Sequence, residues 1–316
     1  MMAQTPRGGH EIPLVDMGQL GLGCDNITQE EWQRVAGELH EVFTNIGFAY
    51  LSNHGIPSDQ LNHVIKSSAA FFDLNEKTKN LFARDPETQQ GYVAVDRESL
   101  HAESKVHELR EAYDLRNIDG IFPDEPVPSL RQAVVSFLQS CQALTTRILV
   151  ALALGLGLEK NFFTSLHKEI CSNNNMSCLR LLHYPPVPDN IPENTIRCGA
   201  HTDYGTITLL FQDHLGGLQV HDRNGDWVEA TPIPDTILIN VGDLLQFWTA
   251  DKFIATEHRV VIPREERLQK TPRRSVVFFV HPDNSVLITP LDGSSTYQPI
   301  SAAAHTLNRF KSTYNY

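Results

Sequence analysis

From about Met176 the chain becomes a succession of short apolar runs cut by Pro, Gly, Asn and Asp, and that rhythm restricts its fold more than any other feature. The runs fall at 178–184, 206–211, 218–221, 227–230, 236–240, 255–261 and 275–280. Segments this short suit strands better than helices. Turn residues at such spacing predict a β-barrel or a two-sheet sandwich. Asn224-Gly225, between two of the runs, is a hairpin signal.

The first half reads differently. Thr28 followed by Glu31 makes a capping pattern for a helix running to about Asn45. Ser58 heads a second helix, with Leu61, Val64, Ile65 and Ala69 at helical spacing. The longest helical pattern runs from Ser129 to Leu156 and breaks at Gly155 and Gly157. Residues 12–16 and 48–52 have strand character, and a closing helix is expected over about 301–314. No repeat or linker divides the 316 residues, so a single domain is expected over 1–316. It would be mainly helical to about 170, strand-built over about 176–283, and helical again from about 298 to 316.

Composition narrows the function classes. A formal charge of -12, spread along the chain, argues against a phosphate-tracking nucleic-acid surface. Five cysteines without a CxxC pair argue against a disulfide scaffold or zinc ribbon and for a reducing compartment. The first twenty residues contain no apolar leader segment, and the apolar stretch 148–158 is too short to span a bilayer. A soluble, cytoplasmic protein is expected, with no membrane or nucleic-acid partner and no protein partner implied.

Within the strand-rich half, His201 and Asp203 stand two apart, so extended backbone would send both side chains to one face. An imidazole nitrogen and a carboxylate oxygen could then reach one ion, and the strand around 255–260 offers His258 as a third ligand. Two histidines and a carboxylate on one side of a metal leave other positions open, as non-haem Fe(II) oxygenases require. Zinc hydrolysis is the rival for the same set, but no His-Glu-x-x-His stands nearby to supply its general base. His221 and Asp222 are adjacent, so as strand neighbours they would point to opposite faces.

The run from Arg273 to Val280 adds a second constellation. Alternation puts Arg273, Ser275, Val277 and Phe279 on one face. An inward arginine needs an anion, and a guanidinium beside a hydroxyl makes a carboxylate clamp.

At these residues the chain resembles the 2-oxoglutarate-dependent Fe(II) dioxygenases of the isopenicillin-N-synthase-like group, along nearly its whole length. The matching stretches are IPLVD at 12–16, GFAYLSNHGIP at 47–57, LLHYPP at 181–186, HTDYGTITLL at 201–210, GGLQV at 216–220, NVGD at 240–243, EHRV at 257–260 and Arg273-x-Ser275. The resemblance implies a mainly β fold with flanking helices, a double-stranded β-helix or jelly roll. It implies Fe(II) on His201, Asp203 and His258, and O2 and 2-oxoglutarate as cosubstrates. The far carboxylate of 2-oxoglutarate would sit on Arg273 and Ser275, with the Tyr184 hydroxyl assisting. Leu182 departs from the many plant members that carry Asn there. The implied reaction oxidises a small organic substrate, by hydroxylation or desaturation, and releases succinate and CO2.

For the substrate, three residues are candidates. Phe279 follows Ser275 on the inferred inner face, Arg180 shares alternation with Tyr184, and Tyr92 lies where the family places a substrate segment. An inward Arg180 would suggest an acidic substrate. Two other readings stay open: an Fe(II) oxidase that uses no 2-oxoglutarate, and a non-catalytic small-molecule receptor.

Overall fold

Period-two alternation in the strands sorts their side chains into two cores, and that division positions the site. The computed structural model describes residues 12–98 and 107–313. Its main helices are α1 (Gln29–Asn45), α2 (Ser58–Phe72), α3 (Ser129–Gly155), α4 (Asp243–Trp248) and α5 (Ala302–Thr313). The strands that build the two facing sheets are β1 (Leu14–Asp16), β2 (Phe48–Ser52), β3 (Gly91–Val93), β4 (Glu111–Leu115), β5 (Cys178–Tyr184) and β6 (Cys198–His201). They continue with β7 (Ile207–Gln212), β8 (Leu218–His221), β9 (Trp227–Glu229), β10 (Ile237–Val241), β11 (His258–Val260) and β12 (Arg273–Val280).

The larger sheet has the order β1-β2-β10-β7-β12-β5-β4-β3, and the smaller one β9-β8-β11-β6. Only β1 and β2 run parallel in them; the other neighbours are antiparallel. Leu179, Leu181, Leu209, Val276 and Phe278 turn to one face of the large sheet and join the helices in one core. Leu182, Tyr184, Leu238 and Val277 turn to the other, where they meet Leu218, Val220 and Val260 of the small sheet. This two-sheet architecture is the jelly roll of the resemblance, with helices outside. Two of its strands, β3 and β4, come from the half that reads as helical in sequence.

Local signals act where their chemistry allows. Thr28 Oγ1 accepts the Glu31 N–H at 3.3 Å and starts α1. Ser58 does not cap α2: the extended Pro57 holds the cap position, and Ser58 is the first helical residue. The Asn224-Gly225 turn joins β8 and β9, with Gly225 at φ 88°. The closing helix begins at Ala302, while Tyr314 lies outside the described residues.

The apolar stretch 148–158 is the end of a longer element than its own length suggests. By length and composition α3 is apolar enough to cross a bilayer, yet Leu144, Ile148, Leu149 and Leu152 are buried in the helix–sheet core. All five cysteines are free thiols, Cys171 and Cys178 among them.

Candidate metal centre and cosubstrate pocket

Pairing of β6 with β11 places His201 directly opposite His258, with ring centroids 4.3 Å apart. Their Nε2 atoms lie 3.7 and 3.8 Å from Asp203 Oδ1. Ligand atoms of all three residues fall within 4.8 Å of one another, the one such group among the described residues. His201 Nδ1 faces the Gly199 carbonyl at 2.8 Å, and His258 Nδ1 faces the Thr256 carbonyl at 3.1 Å. A carbonyl only accepts, so Nδ1 carries the proton and Nε2 turns its lone pair to the shared space.

Asp203 does not extend the strand, as alternation alone would have it. Strand β6 ends at His201, and Asp203 sits in the turn that follows. Its carbonyl accepts the Asp243 N–H at 2.7 Å at the start of α4, while Gly242 N–H binds the Thr206 carbonyl. The approach is too close for side chains: a Cβ on Gly242 would lie 2.3 Å from the Gly205 carbonyl oxygen. Asn240, next to this crossing, donates to Asp203 Oδ2 at 2.7 Å. Burial alone would raise the Asp203 pKa, but His258, His201 and Asn240 together hold it below the usual carboxylate value. Burial, reinforced by His201, lowers His258 to about 4, so its imidazole is neutral at pH 7. Two histidines and a carboxylate fit a divalent iron with open positions.

In front of the triad lies a cavity with about 1020 Å³ of empty space, partly open to solvent. Arg273, 1% exposed, lines it. Its Nε donates to the Gly216 carbonyl at 2.8 Å, and Nη1 lies 3.4 Å from Ser275 Oγ. Tyr184, its direct partner across β5 and β12, lies beneath the guanidinium at 4.8 Å, and its hydroxyl is hydrogen-bonded with Ser275. No carboxylate pairs with Arg273 among the described residues, so this buried cation calls for an anion from outside. Arg273, Ser275 and Tyr184 thus come together as one seat.

Arg180 and Phe279 also face the cavity, with the guanidinium 5.8 Å from the ring centroid. Arg180 is not available as a lone cation, however. Asp114 holds its Nε at 2.6 Å and its Nη2 at 2.8 Å, and Glu98 holds its Nη1 at 3.0 Å. Tyr92 lies elsewhere: it is buried against Phe71, Lys79 and Glu111 in the helix–sheet core. Strand β3 turns Val93, not Tyr92, toward the space between the sheets.

Sequence reasoning missed the acidic partners of Arg180, and also Tyr204 and Phe310, which line the cavity and meet edge to face. Asp114 faces Arg180 across β4 and β5. Residues 111–115 give little apolar signal, so the strand carrying Asp114 is not legible from pattern. Asn240 was signalled by the NVGD stretch, but not its contact with Asp203.

Comparison with known proteins bears on this geometry. Residues 175–282 match the profile of the 2OG-Fe(II) oxygenase superfamily, and residues 12–132 match the profile described as non-haem dioxygenase in morphine synthesis N-terminal. A 2-oxoglutarate-Fe(II) type oxidoreductase of Metarhizium rileyi is 32% identical over 88% of this chain and 85% of its own. The chain belongs to the 2-oxoglutarate–Fe(II) oxygenase superfamily. A proline hydroxylase of Petromyces alliaceus is a superfamily relative at 35% identity, over 80% of this chain and 83% of its own. Among solved structures, a full-length Neurospora crassa protein in complex with α-ketoglutarate (2-oxoglutarate) and thymine superposes with a TM-score of 0.83. It is 31% identical, covering 95% of this chain and 96% of that one. The protein is a 2-oxoglutarate-dependent Fe(II) dioxygenase that oxidises a small organic molecule, with release of succinate and CO2.

Proposed function

We propose that this dioxygenase oxidises an uncharged, flat molecule, with a free pyrimidine base as the first candidate, and that His201, Asp203 and His258 hold its iron. The observation that carries the substrate reading is the charge already matched at Arg180. Arg84, Arg180 and Arg110 share Asp114, Glu98 and Glu108 among themselves. Arg116, the other guanidinium at this end, donates to the Thr88 and Asn175 carbonyls. A free amino acid would need an unmatched carboxylate for its ammonium group, and these carboxylates are engaged. An uncharged ring could instead lie against Phe279 and exchange hydrogen bonds with polar edges.

Iron, 2-oxoglutarate and O2 supply the oxidation, and the protein supplies position and electrostatics. Asp203 Oδ1 and the two Nε2 lone pairs would hold the metal. Arg273 and Ser275 would anchor the far carboxylate of 2-oxoglutarate, with the Tyr184 hydroxyl beside them. Phe279 and Arg180 would set the substrate's orientation. Complexes of the Neurospora crassa protein with thymine and with 5-formyluracil support a base of this kind. The proline hydroxylase relative favours an amino acid, and a single assay separates the two. We also propose a cytoplasmic location, supported by the five free thiols.

The experiment is succinate release from 2-oxoglutarate with thymine, 5-formyluracil, uracil, free proline or homoarginine added singly. Stimulation by the bases is expected. Stimulation by the amino acids alone would overturn the substrate reading.

A further inference from the structure

The ion pairs around Arg180 do not stop at the cavity wall. Glu98 holds Arg180 Nη1 with both oxygens at 3.0 Å, and its Oε2 is 3.1 Å from Arg110 Nη2. Arg110 in turn meets Glu108 Oε2, through Nε at 2.8 Å and Nη2 at 2.7 Å. The other oxygen, Glu108 Oε1, accepts the Gly199 N–H at 3.2 Å. Gly199 presents its carbonyl to His201 Nδ1. All four charged side chains are buried, between 2% and 8% exposed. A line of polar contacts, bridged at Gly199 by the backbone of that one residue, therefore runs from the substrate end of the cavity to one imidazole of the metal centre.

The other imidazole has no such line. His258 Nδ1 rests on the Thr256 carbonyl, and Thr256 is tied through its hydroxyl to the Ile46 carbonyl. Among the described residues no charged side chain enters that path, so the two histidines differ in what holds them.

We propose that Glu108 is a positioning residue for His201, and that Arg110 and Glu98 extend its hold to Arg180 at the substrate end. Glu108 holds Gly199 by its N–H, and the carbonyl across the Cα of the same residue receives the proton on His201 Nδ1 and so sets the direction of Nε2. Arg110 holds the Glu108 carboxylate in place by binding the oxygen that Gly199 leaves. Groups of this kind orient metal ligands, and their loss weakens metal binding about 10- to 100-fold. The inference rests on the reading of His201 as an iron ligand.

The test is anaerobic Fe(II) titration of the full chain, followed by 2-oxoglutarate addition and a visible spectrum. Glu108→Ala is expected to weaken Fe(II) binding about 10-fold or more and to shift the charge-transfer band of the 2-oxoglutarate complex. Glu108→Gln keeps an acceptor for Gly199 but loses the ion pair, so it should weaken binding less, though measurably. Glu98→Gln should show a smaller change in the same direction. Lys79→Met, which breaks the buried Lys79–Glu111 pair away from the metal, should leave iron affinity and band unchanged. Native iron affinity and band in a folded Glu108→Gln protein would overturn the proposal, whether or not Glu108→Ala folds. An equal loss in Lys79→Met would overturn it too, as a general effect of breaking buried pairs. Failure of the native protein to bind Fe(II) would instead remove the iron assignment itself.

Discussion

Asn240 donates its side-chain amide to Asp203 Oδ2 at 2.7 Å, which leaves Oδ1 turned toward both histidines. A monodentate carboxylate ligand needs this kind of restraint, since free rotation would present either oxygen. Asn240→Ala is expected to weaken Fe(II) binding about 10-fold while the fold persists. Competition with a chelator under anaerobic conditions measures it. Native affinity in the variant would mean that the backbone and the Thr208 side chain, which also hydrogen-bonds Asp203, suffice to set the carboxylate.

Arg197 is wholly buried, and its Nε and Nη1 have no hydrogen-bond partner among the described residues. Burial, and then the neighbouring Arg273, lower its pKa. Two cations held close in a low-dielectric interior are expected to cost stability in the absence of 2-oxoglutarate and to strengthen binding of that dianion. Arg197→Met should therefore raise the stability of the cosubstrate-free protein by on the order of 1 kcal/mol. It should weaken 2-oxoglutarate binding about 10-fold, about 1.4 kcal/mol. Denaturant unfolding with and without 2-oxoglutarate reads both. A variant that loses stability in its absence would mean that Arg197 does not strain the fold.

His167 lies in the core, with Nδ1 at the Phe163 carbonyl and Nε2 at Thr206 Oγ1. Burial lowers its pKa to about 4, against about 6.5 in an unfolded chain. Because the folded value is depressed, the unfolded chain takes up a proton that the folded one refuses. Stability is thus complete above about pH 6.5 and is lost as pH falls toward about 4, at about 1.4 kcal/mol per pH unit for one such group. Buried His183, also held at about 4, adds to the slope. In the metal-free protein, His167→Gln should flatten the pH dependence of unfolding by about one proton's worth across that window. An unchanged slope would contradict the assignment.

Legibility in the sequence followed the physics of each signal. The strands β5, β7 and β12 were readable because each is a short apolar run bounded by turn residues, and alternation placed Arg273 and Ser275 on one face of β12. His201 and Asp203 were found by spacing, though the turn carrying Asp203 depends on glycines 205 and 242 meeting across the fold. Tyr92 went astray because a resemblance that places a segment does not say which face of β3 each side chain takes, and here Val93 turns between the sheets while Tyr92 joins the helix–sheet core. Glu98, Glu108 and Asp114 were invisible because a charged side chain in a weakly apolar segment reads as solvated until tertiary packing buries its partner.

The proposed iron centre on His201, Asp203 and His258 is expected to receive 2-oxoglutarate anchored by Arg273. The most direct test adds Fe(II) and then 2-oxoglutarate to the anaerobic protein and records the visible spectrum. A weak charge-transfer band is expected, absent in Asp203→Ala and needing far more 2-oxoglutarate in Arg273→Met. A native protein that binds iron without developing the band, or a band that survives in Asp203→Ala, would rule out this centre.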